Sequence, residues 1–513
     1  MLHRIAEISR AVAAEPARNA KVGLLAGLLR ELGPAEGAAA VALLSGESRR
    51  QRIGVGPAAL GDLPAPAPAP SLGVLETEDA LAAIAAVHGA GARAERRRLL
   101  DALFGRATGP EQELLAGVLV GDLRQGALDA LLGDAVAKAA GVPAPAVRRA
   151  LMLRGSARAV AGAALTDGEP ALRAFGLRVG RAVRPMLAAA APDTAAALER
   201  IDGPAALEWK LDGIRVQVHR DGREVAVFTR SLDEITGRVP ELVEAALALP
   251  VGSAVLDGEA IALGPGGRPR PFQVTAARAA SRQDPARLRA ETPLRPFFFD
   301  LLHLDGTDLL DLPAARRWAA LEQAVPAGLR VPGLLTGDPG QAEAFLRDAL
   351  GHGHEGVLVK DPAAPYAAGR RGAGWIKVKP HHTLDLVVLA AEWGSGRRRG
   401  FLSNLHLGAR AAGAQGLPPW VMLGKTFKGL TDELLVWQTR ELLAREVGRD
   451  STTVRVRPEL VVEVAFDGLQ RSPRYPAGLA LRFARVVRYR DDKLAEEADT
   501  VAAVRALAAA GPG

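Results

Sequence analysis

The 513-residue chain has no cysteine, which excludes disulfides, thiolate nucleophiles and cysteine-ligated zinc together. Aromatic residues are few, with three tyrosines, six tryptophans and 12 phenylalanines. No apolar run is long and unbroken enough to span a bilayer, and no signal-peptide pattern is present. The first amphipathic stretch carries arginine, as a transit peptide does, but Glu7, Glu15 and Glu31 argue against one, so a cytoplasmic protein with no membrane association is expected. Lysine is the most telling scarcity. Only nine occur among 65 basic residues (at 21, 138, 210, 360, 377, 379, 425, 428 and 493), so arginine supplies nearly all the positive charge. Where a lysine is kept, the amine itself is a candidate for chemistry.

What is present fits a large globular chain. Its length allows two to four domains with ample core. A net charge of +7 and a pI near 9.9 suit a polyanionic partner. Residues 1–190 read as helical, with apolar residues at helical spacing through Lys21 to Leu29 and Leu114 to Leu132, and a proline-rich linker at Leu63 to Pro70. Arginines cluster at 96–98, 148–149 and 154–158. Arg124 and Arg154 lie beside or near glycine, where backbone can approach phosphates, and a helical module with such turns suits nonspecific duplex binding.

After about residue 190 the texture changes. Alternating strands are expected at Arg215 to His219, Glu224 to Thr229, Ala254 to Leu263 and Pro296 to Leu304, with helices at Pro313 to Ala324 and Gln341 to Leu350. This pattern predicts an α+β domain over 191–382. From 383 to the end, short strands at Leu386 to Trp393, Leu402 to Arg410, Trp420 to Lys425 and Leu460 to Phe466 surround one helix at Thr431 to Glu446, which suits an OB-fold barrel.

The chain is organised around Glu208-Trp209-Lys210-Leu211-Asp212-Gly213-Ile214-Arg215. Unlike arginine, a lysine becomes a nucleophile once it loses its proton, which makes Lys210 a candidate covalent catalyst. Two residues on in an extended segment, Asp212 projects to the same side. Gly213 lets the chain pass close to a ligand, and Arg215 offers a forked donor to phosphate or ribose oxygens. Taken alone, K-x-D-G describes a surface strand equally well. Four further clusters weigh against that: Asp257-Gly258-Glu259, Phe297 to Asp300, Glu355 to Lys360, and Trp375 to Lys379. Lys377 and Lys379, two apart on an expected strand, face one side and gather cations suited to phosphate.

This ordered series resembles the motifs of ATP-dependent DNA ligases, members of the covalent nucleotidyltransferase superfamily. Glu208 to Arg215 is similar to the nucleotidylated-lysine motif, Thr229-Arg230-Ser231 to the ribose-contacting one and Asp257-Gly258-Glu259 to the third. Phe298-Phe299-Asp300 resembles the purine-stacking motif, Glu355 to Lys360 the second acidic motif, and Trp375 to Lys379 the twin-lysine motif. Arg482 to Lys493 resembles the motif carried by the barrel. Pro271-Phe272-Gln273 and Arg471-Ser472-Pro473 extend the match, which favours ligases with a helical DNA-clamping domain placed first.

The resemblance implies three domains: an all-α DNA-binding domain (1–190), an α+β nucleotidyltransferase domain (191–382) and a C-terminal OB-fold domain (383–513). It implies a lysine-linked AMP on Lys210, with Lys377 and Lys379 as electrostatic stabilisers. Glu208, Arg215, Arg230, Glu259, Phe299 and Arg371 would contact ATP together with the twin lysines, and Glu259 and Glu355 would hold Mg²⁺. Arg482, Asp492 and Lys493 would close over ATP. The expected partners are ATP and nicked duplex DNA, the setting replication, repair or recombination, and the acting form a monomer, nucleoid-associated in a bacterium. RNA ligases and capping-type guanylyltransferases share the lysine chemistry, and a silent nick-binding protein shares the fold. His352 and His354 lack a third convergent ligand for zinc and read as loop residues, while His381 and His382 mark the hinge after the catalytic domain.

Overall fold

The computed structural model describes residues 1–47, 55, 57–89, 91–120, 123, 128–368, 371–380, 382–395, 398–413 and 416–510. The chain divides into two compact units, Met1–Leu187 with Tyr366–Arg370, and Ala188–Pro365 with Arg371–Gly513. Among the described residues, no helix is long and apolar enough to cross a membrane.

The first unit is helical: α1 (Leu2–Ala14), α2 (Arg18–Glu31), α3 (Pro34–Leu44), α4 (Val74–Ala86), α5 (Ala92–Gly105), α6 (Gly109–Val120), α7 (Leu128–Ala140), α8 (Ala144–Arg154), α9 (Ala157–Asp167) and α10 (Glu169–Arg173). In α1 the buried residues Leu2, Ile5, Ala6, Ser9 and Val12 recur at helical spacing and form one stripe. α3 is buried all round from Gly37 to Leu44, and its alanines let neighbours approach closely. The expected periodicity from Leu114 to Leu132 is divided between α6 and α7, because an apolar pattern alone does not mark where a helix stops. At the α8/α9 junction, Gly155 takes the left-handed conformation at φ +72° and Ser156 Oγ accepts from Ala159 N at 3.1 Å. The glycine beside Arg154 therefore ends one helix and its neighbour starts the next.

Among its described residues, the second unit holds three larger sheets and a two-stranded ribbon. The first contains β1 (Leu187–Ala191), β2 (Ala205–Lys210), β8 (Gly333–Thr336), β9 (Gly356–Lys360) and β10 (Arg371–Val378), in the order β1-β10-β9-β2-β8. The second contains β3 (Ile214–Asp221), β4 (Glu224–Thr229), β5 (Ser253–Ala262), β6 (Leu294–Leu304) and β7 (Thr307–Asp308), in the order β4-β3-β5-β6-β7. Helices α11 (Thr194–Leu198), α12 (Pro240–Leu247), α13 (Phe272–Ala280), α14 (Pro285–Glu291), α15 (Ala314–Ala324) and α16 (Pro339–Gly351) intervene. Leu207, Val357, Val359 and Ile376 of the first sheet form one core with Ala197 of α11 and Ala342 and Leu346 of α16. A separate core joins Val216, Leu256 and Phe298 of the second sheet to Leu242 of α12 and Leu321 of α15.

The third sheet runs β13-β12-β11-β15-β14, with β16 paired to β11 and β19 to β16. Its strands are β11 (His382–Trp393), β12 (Leu402–Arg410), β13 (Trp420–Thr426), β14 (Glu446–Arg449), β15 (Thr453–Val456), β16 (Val461–Phe466) and β19 (Arg485–Tyr489). A ribbon of β17 (Gly468–Arg471) and β18 (Leu479–Arg482) lies beside it, with α17 (Asp432–Ala444) and α18 (Val501–Ala510) on its core. No pairing among the described strands closes this sheet on itself.

Candidate active site

Strand alternation builds the site. On β2, Leu207 and Trp209 face the core under α16, so Glu208 and Lys210 point to the opposite side. β9 pairs with β2 so that Lys210 lies opposite Gly356. Gly356 has φ +143°, and a Cβ there would sit 2.2 Å from Val378 O, so only glycine lets β9 pass β10 at this point. The register brings the Glu355 carboxylate onto the Lys210 amine, and Glu355 N donates to Lys210 O at 3.0 Å.

β2 ends at Lys210, and Leu211 to Gly213 step across to β3 in the next sheet. The expected extended segment is therefore a crossover. Lys210 pairs with Glu355 while Asp212 accepts from Arg482 Nη1 at 3.0 Å. At Gly213 a Cβ would stand 2.5 Å from Ala260 O, so β5 itself excludes a side chain there.

The surroundings shift these carboxyls in opposite directions. Burial would raise the Glu355 carboxyl, but Lys210 and Lys379 outweigh it and hold it below its ordinary value. Lys379 Nζ donates to Glu355 at 3.2 Å and to Asp467 at 3.1 Å. Burial would lower that ammonium, and the two carboxylates more than reverse this. Burial pushes Glu259 up to about 8 against the pull of Lys210 and Arg215. Burial, helped by Glu355, also raises Asp212 despite its Arg482 partner.

Beside these groups lies a wall of rings and cations. Arg215 donates bidentately to Asp257 at 3.0 and 2.6 Å, and its guanidinium stands 5.4 Å from the Phe299 ring and 5.2 Å from Trp375. Fully buried Lys360 pairs with Glu208 and lies 4.8 Å from Phe299 and 4.5 Å from Trp375. Burial raises the Glu208 carboxyl, with Lys360 opposing. The adjacent phenylalanines divide: Phe298 belongs to the core of the second sheet, and Phe299 meets Trp375 edge-on at 5.7 Å. Asp300, behind them, holds Arg317 in a bidentate pair with both side chains fully buried.

The structure thus brings Lys210, Glu259, Glu355, Lys379, Asp212 and Arg482 into one cluster, with Glu208, Arg215 and Phe299 beside it. Lys377 lies on β10 opposite Leu358. Arg230 is exposed in the turn after β4. Asp492 and Lys493 bond elsewhere: Arg490 pairs with Asp492, and Arg490 and Lys493 both donate to Asp385 of β11 at 2.9 and 2.6 Å. Arg154 is half-buried at the end of α8 in the helical unit. Arg124, His381 and the Arg371 side chain lie outside the described residues. His352 and His354 both lie against the Trp209 ring.

Sequence reasoning missed Asp257, Lys360, Trp375 and Asp467 as members of the site. The first three stand inside motifs it had marked, and lysine scarcity alone singles out Lys360. Asp467 carries no local signal, because only the fold brings it to Lys379, 88 residues away.

Residues 185–379 match the family model described as ATP dependent DNA ligase domain, and residues 398–493 match the ATP dependent DNA ligase C terminal region. A protein of a Nocardioides species named "Probable DNA ligase" is 58% identical over 505 residues, covering 97% of each chain. One of the same name from Anaeromyxobacter dehalogenans is 58% identical over 512 residues, covering 99% of each. A solved structure named Pmar-Lig_PreS3 shares the fold with TM-score 0.57 at 18% identity, over 95% of this chain and 99% of that one. The chain belongs to the family of ATP-dependent DNA ligases.

Proposed function

We propose that this ligase seals nicks bearing a 5′-phosphate and a 3′-hydroxyl in duplex DNA through an AMP carried on Lys210. The observation that carries this reading is the Lys210 amine at a strand end against Glu355, with Lys379 on the same carboxylate. In the first step Lys210 Nζ attacks the α-phosphorus of ATP, a P–N bond forms, and pyrophosphate leaves. Next, a 5′-phosphate oxygen attacks that phosphorus and releases the lysine. Finally, the 3′-hydroxyl attacks the 5′-phosphorus, and AMP leaves as the phosphodiester forms. Charge develops on phosphoryl oxygens throughout, where Lys377 and Lys379 stabilise it.

In this reading Phe299 stacks on the adenine, Glu208 reads its edge, and Arg215, Arg230 and Arg371 orient ribose and phosphates. Glu259 and Glu355 offer the hard oxygen donors that suit Mg²⁺, and bound there it would supply positive charge to the α-phosphate. The raised Glu259 carboxyl fits this role, because a neighbouring cation restores its ionised form. We read 1–190 as the duplex-binding domain, 191–382 as the nucleotidyltransferase domain and 383–513 as an OB-fold barrel, supported by short strands around α17. The protein then works as a cytoplasmic monomer in replication, repair or recombination, and Arg124 and Arg154 contribute phosphate contacts.

The test is to incubate the protein with Mg²⁺ and α-labelled ATP or GTP. Label from ATP should appear on Lys210 and discharge onto nicked DNA. Label from GTP alone, discharge only onto RNA, or DNA binding with no label would each overturn the reading.

A further inference from the structure

Trp209 stands between Glu208 and Lys210 in sequence but on the other face of β2, in the core under α16. Two imidazoles grip its ring. His352 and His354 have centroids 4.8 and 4.9 Å from it, tilted by 31° and 37°, and Phe345 closes the group at 6.4 Å. His354 is buried, and neither its Nδ1 nor Trp209 Nε1 has a hydrogen-bond partner in the protein. Ring contact rather than polar bonding therefore ties these side chains together.

The two histidines form the turn from α16 into β9, with Gly353 at φ +85° between them and His354 N bonded to Ala349 O at 3.0 Å. The next residue is Glu355, whose backbone bonds to Lys210 and whose carboxylate meets the Lys210 amine. The stack on one face of β2 thus fixes where the chain crosses to the other. We propose that the Trp209 stack is a positioning device that sets Glu355 against Lys210 and so aligns the amine for attack. Its members touch neither ATP nor the reacting atoms; they act through Glu355. Without the indole, a gap one ring thick opens under the turn, the turn settles into it, and the carboxylate leaves its place beside the amine. This inference rests on Lys210 being the nucleophile.

The test measures single-turnover labelling of the full chain by α-labelled ATP with Mg²⁺, for wild type and for Trp209→Ala, Trp209→Phe, His354→Ala and His354→Phe. The alanine variants should lose about tenfold or more in maximal rate with half-saturating ATP within about twofold of wild type, as expected of lost alignment. The phenylalanine variants, which keep an aromatic slab, should recover most of the rate. Should Trp209→Ala fail to fold, the His354 pair gives the same comparison on a turn rather than a strand. Alanine variants at wild-type rate would overturn the proposal, as would a loss that phenylalanine does not rescue or one confined to half-saturation. If wild type takes no label, the nucleophile assignment fails instead.

Discussion

The Lys210 amine is held by the Glu355 carboxylate, and under the proposed function the identity of the cation at 210 matters beyond its charge. Arginine would preserve the pair with Glu355, yet its guanidinium stays protonated and is a poor nucleophile. Lys210→Arg and Lys210→Ala should therefore both lose label uptake from ATP by at least about 10³-fold, the scale on which removing a nucleophile acts. A labelled adduct on either variant would refute the assignment. A second single-residue expectation concerns His219, 1% exposed, which burial and His303 push down to about 3. Its folded value lies below the unfolded one near 6.5. The associated stability is thus full above pH 6.5 and is lost as the pH falls from there toward 3. Between pH 7 and 5 this one group should cost about 2 kcal/mol of unfolding free energy. Comparing denaturant unfolding of wild type and His219→Gln at both pH values measures it, and equal pH dependence in the two proteins would contradict it.

Elements explain what the chain's pattern revealed and what it hid. Glu224–Thr229 and Leu402–Arg410 form strands with the expected bounds. β1, Leu187–Ala191, is nearly all alanine and alternates in nothing, so local preference pointed to helix, and pairing with β10 makes it a strand. At the site, Lys210, Glu259, Glu355 and Lys379 could be marked within their motifs because chemistry restricts residue type there, and the structure brings these four together. Asp467 and the Trp209 partners were not legible, because three-dimensional proximity alone gives them meaning. The motif from Arg482 to Lys493 divides by element: Arg482 on β18 reaches Asp212, and Lys493 lies past β19 against Asp385. Lys493→Ala should slow lysine labelling by about tenfold, and sealing of a preadenylated nick by much less, if it orients the leaving pyrophosphate during closure. Asp385→Asn should show the same bias more weakly by loosening Lys493 and Arg490. Equal losses in the two assays would remove this role.

At the scale of the whole molecule, the two units predict separable work. Residues 187–513 keep β1 and every described member of the site cluster, so this fragment should take label from ATP nearly normally. It should seal nicks poorly, with a deficit that widens as salt rises toward physiological strength, if the missing arginines supply the proposed phosphate contacts. Equal sealing by fragment and full chain at physiological salt would show that the helical unit is not a duplex clamp.

The division into units also has a temporal side. Met186 N bonds to Tyr366 Oη at 3.1 Å and Ala368 N approaches Met152 Sδ at 3.2 Å, so a strap made late in the chain completes the helical unit. A ribosome adding about 5–20 residues per second reaches Tyr366 roughly 9–36 s after Met186. During that interval the helices emerge without their last packing partner, so the helical unit cannot reach its final packing until translation has passed deep into the catalytic half.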